Sequence, residues 1–259
     1  MFDSPHLEPD IISGSFSLGG KMKKTNLDEI KDIAKSLLYI DISETEIDTF
    51  LIHPFLNNRY MIFNKHDEHL TDILASPENL QKARDFFSER IDEADDVWRI
   101  LIYMHTPYRP LLFRLCYNYL SEEDYNHMLE EVWTGTENPN QDPNVSLKQW
   151  IKFFKKSNKN LLMTKEELDF YNSLSDTKPI EIYRGVGHNR KPYGLSWTVK
   201  RETAEWFAKR WGNKYAYMFK TYCTKEDVLA YFNGRNENEL VINVNNLDKN
   251  KVERINLDG

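Results

Sequence analysis

The sequence predicts an α+β protein, in which a helical N-terminal portion is followed by a mixed α/β core. From residue 26 to about residue 174, apolar residues recur at helical spacing, as in Val97, Ile100 and Leu101. After Asp176 the chain changes to short β-rich runs that are separated by turn residues. Helices that are followed by strands, rather than alternating with them, indicate the α+β class.

Three parts are expected along the chain. Residues 1–24 mix Gly, Ser, Pro and Lys without periodicity, which is typical of a flexible arm. A helical region is expected over 25–144, and the sequence does not decide whether it binds a target, regulates the protein or docks to a larger assembly. The segment 134–144 contains Gly135, Pro139 and Pro143 and is the expected linker to a core at 145–259.

Eight helices are expected in the first two-thirds of the chain, and several begin at a residue that can cap a helix. Ser43 with Glu46, Ser121 with Asp124, and Thr164 with acids after it are typical of helix N-termini. The expected ranges are 26–40, 43–53, 77–92, 94–105, 109–119, 121–133, 146–157 and 164–174.

The last part is expected to hold five strands and one helix. The strands are expected at 179–183, 195–198, 214–220, 227–230 and 240–244. The helix is expected at 203–211, because Ala204, Phe207 and Ala208 fall on one stripe of an amphipathic segment.

Composition favours a cytoplasmic protein. A net charge of −7 argues against a general nucleic-acid or anionic-membrane surface. No apolar run reaches the roughly 20 residues that a membrane span needs, and the N-terminus lacks the pattern of a secretory signal. Cys116 and Cys223 lack metal or redox spacing and are expected to be buried thiols. The acidic and His residues at 66–69 are interpreted as a polar turn, so no metal is expected.

Three short motifs in the last part occur in a fixed order. The first is Tyr183-Arg184-Gly185 at the end of a predicted strand. The second is Ser196-Trp197-Thr198, which is followed by the predicted helix with Ala204 and Phe207. The third is Glu237-Asn238-Glu239, which opens an apolar strand. Each motif alone is common, whereas their order and intervals together are specific.

This set resembles the Arg-Ser-Glu class of mono-ADP-ribosyltransferases, which includes bacterial toxins, vertebrate ecto-enzymes and enzymes of tailed phages. The resemblance covers residues 180–247, and Trp197 replaces the small residue that the family often has there. It implies a core with a split β-sheet, NAD as the substrate, and a protein target. If the chain is a toxin or is phage-encoded, the cytoplasm would be that of a host.

The chemistry of that family gives a role to each matching residue. Cleavage of the bond between nicotinamide and ribose leaves an oxocarbenium-like sugar, which the carboxylate of Glu239 is expected to stabilise. Ser196 is expected to hold Glu239 in place. Arg184 offers two parallel donors to the pyrophosphate of NAD, and the backbone of Gly185 is expected near the nicotinamide amide.

Glu237 is expected to select the acceptor. An arginine has a pKa above about 12, so it attacks the ribose only if a carboxylate orients it and takes its proton. On an extended segment, Glu237 would lie on the same side as Glu239. The expected partner is therefore a protein target with an acceptor arginine. Tyr183, Thr198 and Phe207 complete the expected NAD-binding residues, although for Phe207 taken singly a core position is favoured over a platform for nicotinamide.

Two other functions stay open at this point. The first is an NAD glycohydrolase, which transfers ADP-ribose to water. The second is a non-catalytic binding module on the same fold. Taken singly, Arg184 also fits a surface cation at a strand end, and Glu237 with Glu239 fits a solvated strand edge.

Overall fold

The protein is described here from a computed structural model that covers residues 24–64, 69–187, 190–210, 212 and 216–257. Helices account for 47% and strands for 18%, so the α+β class is confirmed. Of the flexible arm predicted at 1–24 and the polar turn predicted at 66–69, all but Lys24 and His69 lie outside the described residues.

Eight of the nine predicted helices are present. Capping residues fix several of their starts, since the side chain of Ser121 accepts from the backbone N–H of Asp124, and Thr164 forms a reciprocal capping box with Glu167. A short additional helix, α7, was not predicted. The helices are α1 (Leu27–Ser36), α2 (Pro77–Asp92), α3 (Val97–Tyr103), α4 (Arg109–Cys116), α5 (Glu122–Gly135), α6 (Leu147–Lys156), α7 (Lys159–Leu162), α8 (Lys165–Ser173) and α9 (Arg201–Lys209).

The helix predicted at 43–53 is wrong. This segment forms the short hairpin β1 (Ser43–Glu44) and β2 (Leu51–Ile52), and a second hairpin follows with β3 (Tyr60–Met61) and β4 (Thr71–Asp72). Within 43–53, Leu51 and His53 are the buried residues, whereas Ile47 and Phe50 are exposed, so the apolar residues at helical spacing in this segment do not pack together on the core. The hydroxyl of Thr45 instead bonds the backbone of the turn.

The strands of the last part form one antiparallel sheet of six. Its order is β10-β7-β5-β6-β9-β8, with β10 not predicted from the sequence. The strands are β5 (Ile180–Val186), β6 (Ser196–Thr198), β7 (Tyr217–Cys223), β8 (Val228–Phe232), β9 (Glu239–Ile242) and β10 (Glu253–Asn256). Among the described residues, β5 pairs with β7 along its whole length but with β6 only at Tyr183 and Thr198. The sheet is therefore weakly joined between β5 and β6.

One hydrophobic core joins the helical portion and the sheet. Its buried side chains extend from Ile30 to Leu247, on both sides of the boundary expected at 144, which stays a prediction. The segment 134–144 does not run free as a linker. The carbonyl oxygen of Pro139 accepts a bond of 3.0 Å from the indole N–H of Trp150, and Asn140 is buried. No helix in the described part of the chain is long and apolar enough to cross a membrane.

Helix α9 packs directly on strand β5 at Gly185. A Cβ atom at this position would lie 2.0 Å from the carbonyl oxygen of Ala204 and 2.7 Å from the backbone nitrogen of Ala208. Both of these atoms belong to the helix backbone and cannot move independently of α9. Glycine is therefore needed here for close contact between the helix and the sheet.

Substitution Gly185→Ala is expected to lower stability by about 1–3 kcal/mol, because the helix must shift away from β5. Thermal unfolding should show a decrease in melting temperature of several degrees. Gly234→Ala is the matched control, since a Cβ there meets no atom within 4 Å. Equal melting temperatures for the two variants would contradict the close packing described here.

Candidate active site

A cleft lies where β5 and β6 are weakly joined. All eight residues predicted for the site line this cleft, although they come from four separate segments of the chain. These are Tyr183, Arg184, Gly185, Ser196, Thr198, Phe207, Glu237 and Glu239. The end of α5 and the segment after it, which was predicted to be a linker, also line the cleft.

Glu239 is the first residue of β9, and it is only 6% exposed. The indole N–H of Trp133 donates to its carboxylate over 3.2 Å, and the side chain of Ser196 is also hydrogen-bonded to it. Burial raises the pKa of the Glu239 carboxyl, and the nearby charge of Glu237 raises it further. The bonds from Ser196 and Trp133 act in the opposite direction, because they stabilise the charged form.

The strand register explains why Ser196 reaches Glu239. Thr198 lies opposite Glu239, and Ser196 lies opposite Val241. Because side chains two apart on a strand share a face, Ser196 is the diagonal neighbour of Glu239. The positioning role of Ser196 stays a prediction. The hydroxyl of Thr198 donates to the backbone oxygen of Glu237 over 3.0 Å and so ties β6 to the turn before β9.

Arg184 lies in the cleft, where its guanidinium donates to the backbone of the protein. Each of its three nitrogens donates to a backbone carbonyl, namely Nε to Pro192, Nη1 to Ser196 and Nη2 to Lys191, at 3.0, 2.6 and 3.2 Å. The residue is 8% exposed, and burial lowers the pKa of the guanidinium to about 10, so it stays charged at neutral pH. Arg184 therefore fixes the segment between β5 and β6.

The same segment is held from the other side by the turn after α5. The side-chain oxygen of Asn140 accepts from the backbone N–H of Leu195, and that of Gln141 accepts from the backbone N–H of Lys191. A Cβ on Gly194 would lie 2.6 Å from both Asn140 and Arg184. Glycine at this position lets the backbone pass between the two side chains.

Glu237 lines the cleft, but the reason given from the sequence is wrong. The segment before Glu239 is not extended, because Asn236 and Asn238 have positive φ angles of 59° and 48°. Asn and Asp are the non-glycine residues that adopt this conformation most readily. The carboxylate of Glu237 pairs with Arg235 at 3.2 Å, and its side chain is 23% exposed.

Phe207 and Tyr183 border the cleft in different ways. Phe207 is half-buried in α9, where its ring meets Trp206 edge to face at 4.9 Å and the guanidinium of Arg210 lies 5.7 Å from its centre. Tyr183 is buried, and its hydroxyl donates to Glu181. Phe207 therefore presents an aromatic ring at the cleft, whereas Tyr183 packs beneath α9 with Ala204.

The contact between Trp133 and Glu239 was not predicted from the sequence. Trp133 is packed edge to face on Trp150 and Phe154, and it also supplies a hydrogen bond to the most buried carboxylate of the cleft. A buried tryptophan needs a hydrogen-bond acceptor for its indole N–H. This general requirement indicates that Trp133 has a polar partner, but it does not identify Glu239. Arg190, Arg210, Arg235 and Glu137 are further cleft residues that were not predicted.

Comparisons with protein-family models, with curated proteins and with solved structures find no match for this chain. Among the described residues, no group of three or more His, Cys, Asp or Glu side chains could hold a metal ion. The function is therefore inferred from the residues and the geometry of the cleft.

Proposed function

We propose that this protein is an NAD-dependent mono-ADP-ribosyltransferase with a split-sheet core, which moves ADP-ribose from NAD to an arginine of a protein target. The observation that carries the proposal is the buried Glu239 carboxylate, held by Ser196 and Trp133 in a cleft that also contains Glu237. A carboxylate fixed by two donors in a buried position suits the stabilisation of a sugar cation.

In the proposed reaction, the bond between C1 of the ribose and the nicotinamide nitrogen breaks. Both electrons leave with neutral nicotinamide, and the ribose develops positive charge. The ionised carboxylate of Glu239 stabilises that charge, and burial strengthens the interaction because little water screens it. Ser196 and Trp133 keep the carboxylate from rotating, so no reorganisation is needed when the charge develops.

Glu237 would then bind the incoming guanidinium. Its pairing with Arg235 shows that its carboxylate holds a guanidinium at the cleft. The side chain of Arg235 is 53% exposed, so its replacement by a guanidinium from a target has a small energetic cost. The carboxylate would orient the attacking nitrogen and take its proton as the new bond to C1 forms.

The test is incubation of the purified protein with NAD carrying a label in its adenosine part, with agmatine or a cell lysate as acceptor. We expect release of nicotinamide and labelled arginine side chains, which mass spectrometry can locate. Release without any labelled acceptor would identify a glycohydrolase. Absence of nicotinamide release across pH 5 to 9 would contradict the proposal.

Trp133→Phe is expected to change the pH dependence of nicotinamide release. The variant keeps an aromatic ring in the core but removes the donor to the Glu239 carboxylate, which raises the pKa of Glu239 further. The acidic limb of the profile should move to higher pH by about one pH unit, from the usual strength of a hydrogen bond to a charged group. At high pH the rate should approach that of the unmodified protein.

Trp150→Phe is the matched control for this experiment. Trp150 is equally buried and also loses an indole hydrogen bond, but its partner is the backbone oxygen of Pro139. If both variants keep the original pH profile, Trp133 has a packing role only.

A further inference from the structure

Two arginines of the cleft converge on one carboxylate oxygen. Nη2 of Arg190 lies 3.4 Å from Oε1 of Glu137, and Nη2 of Arg210 lies 3.7 Å from the same atom. The three residues belong to different segments, because Glu137 follows α5, Arg190 follows β5 and Arg210 directly follows α9. The fold therefore brings two guanidinium groups to a common point at the cleft.

The burial of these three side chains is unequal. Arg190 and Arg210 are 23% and 25% exposed, whereas Glu137 is 68% exposed. Arg210 also lies 5.2 Å from the ring centre of Trp206, which helps to keep it in place. Ion pairs with an exposed partner contribute little to stability. Glu137 can therefore leave at low cost, while the two arginines stay.

Two guanidinium groups of this cluster face one carboxylate, so the three side chains together carry one positive charge. A diphosphate carries two negative charges and offers several oxygens, so it can accept from both guanidinium groups at once. Arg184 is less suited to this role, because each of its nitrogens already donates to a backbone carbonyl.

We propose that Arg190 and Arg210 form a binding site for the diphosphate of a dinucleotide, and that Glu137 occupies this site in the free protein. The identity of the ligand as NAD rests on the proposed function. The aromatic ring of Phe207, which contacts Arg210, lies beside the site and can receive a ring attached to the diphosphate. Binding of the ligand replaces Glu137 and releases its carboxylate to solvent.

Calorimetric titration with ADP-ribose tests this site without any need for catalysis. Glu137→Gln should bind ADP-ribose about threefold to tenfold more tightly, because the competing charge is gone. Arg190→Gln and Arg210→Gln should each bind about tenfold more weakly. Adenosine, which lacks the diphosphate, should bind equally to all of these proteins.

Glu93→Gln is the matched control, because Glu93 pairs with Arg90 at 2.9 Å and is 67% exposed, away from the cleft. An unchanged affinity of Glu137→Gln for ADP-ribose would overturn the proposal, and a gain in affinity cannot result from misfolding. If the binding results are as expected but no nicotinamide is released, the proposed function fails and the diphosphate site stands. If nicotinamide is released but both arginine variants bind ADP-ribose normally, the proposal of a diphosphate site is contradicted and the proposed function stands.

Discussion

Substitution Glu239→Gln is expected to reduce nicotinamide release at least about 100-fold, which is the usual scale for loss of a preorganised electrostatic group. The amide is nearly isosteric with the carboxylate and can still accept from the indole N–H of Trp133. It carries no negative charge, so it cannot stabilise the ribose cation. Release should be measured with saturating NAD, so that a change in binding is not mistaken for a change in rate.

The same variant is expected to be more stable than the unmodified protein at neutral pH. The pKa of Glu239 is raised in the folded state, so the ionised carboxyl destabilises that state. Below about pH 4, Glu239 is protonated in both the folded and the unfolded chain, and the two proteins should differ little. As the pH rises through the pKa that Glu239 has in the folded state, its carboxyl ionises and the free energy of unfolding of the unmodified protein decreases. The Glu239→Gln variant has no carboxyl to ionise here, so its free energy of unfolding does not decrease for this reason.

Thermal unfolding at several pH values would measure this difference. We expect the melting temperature of Glu239→Gln to rise relative to that of the unmodified protein as the pH increases. This result, together with a loss of nicotinamide release, would separate the chemical role of Glu239 from any structural role. A folded Glu239→Gln protein with near-normal release would contradict its assignment as the catalytic carboxylate.

Local signals made much of the fold predictable. Ser121 and Thr164 start helices because their side chains satisfy backbone N–H groups within the same turn. The wrong prediction of a helix at 43–53 rested on the same kind of signal, since Ser43 and Glu46 have the spacing of a capping box. The helix is absent because Ile47 and Phe50, which follow at helical spacing, do not pack on the core, and a capping residue cannot offset that.

The site was predictable only where its residues lie close together in the last part of the chain. Ser196, Thr198 and Glu239 come together through pairing of adjacent strands, which the motif order anticipates. The bond from Trp133 to Glu239 joins residues 106 positions apart, and it depends on how α5 packs against the sheet. Neither periodicity nor motif spacing carries that information.

The partners of Arg184 could not be predicted for a related reason. An arginine at a strand end has five N–H donors, and the residue type alone does not decide which acceptors they reach. The backbone of 191–196 folds over the guanidinium because Asn140 and Gly194 shape that path. Several residues that are remote in sequence therefore determine the contacts of one motif residue.

Substitution Glu237→Ala is expected to separate transfer from hydrolysis. Transfer to agmatine should fall by about 100-fold or more, because no carboxylate remains to orient the guanidinium and accept its proton. Hydrolysis of NAD should largely survive, since water is small and reaches the activated ribose unaided. Removal of the Glu237 charge also lowers the pKa of Glu239, because that charge raises it in the unmodified protein. Hydrolysis should therefore extend to slightly lower pH.

Arg235→Ala gives the matched control, because it changes the other member of the ion pair and leaves the Glu237 carboxylate in the cleft. If Arg235 occupies the place of the acceptor, its removal should leave transfer to agmatine unchanged or increase it. Both activities should be measured on the same samples, with circular dichroism to confirm folding. An equal decrease of hydrolysis and transfer in Glu237→Ala would place Glu237 in the NAD site. Intact transfer in that variant would mean that Glu237 does not activate the acceptor, and an acceptor without the high pKa of arginine would then fit the cleft better.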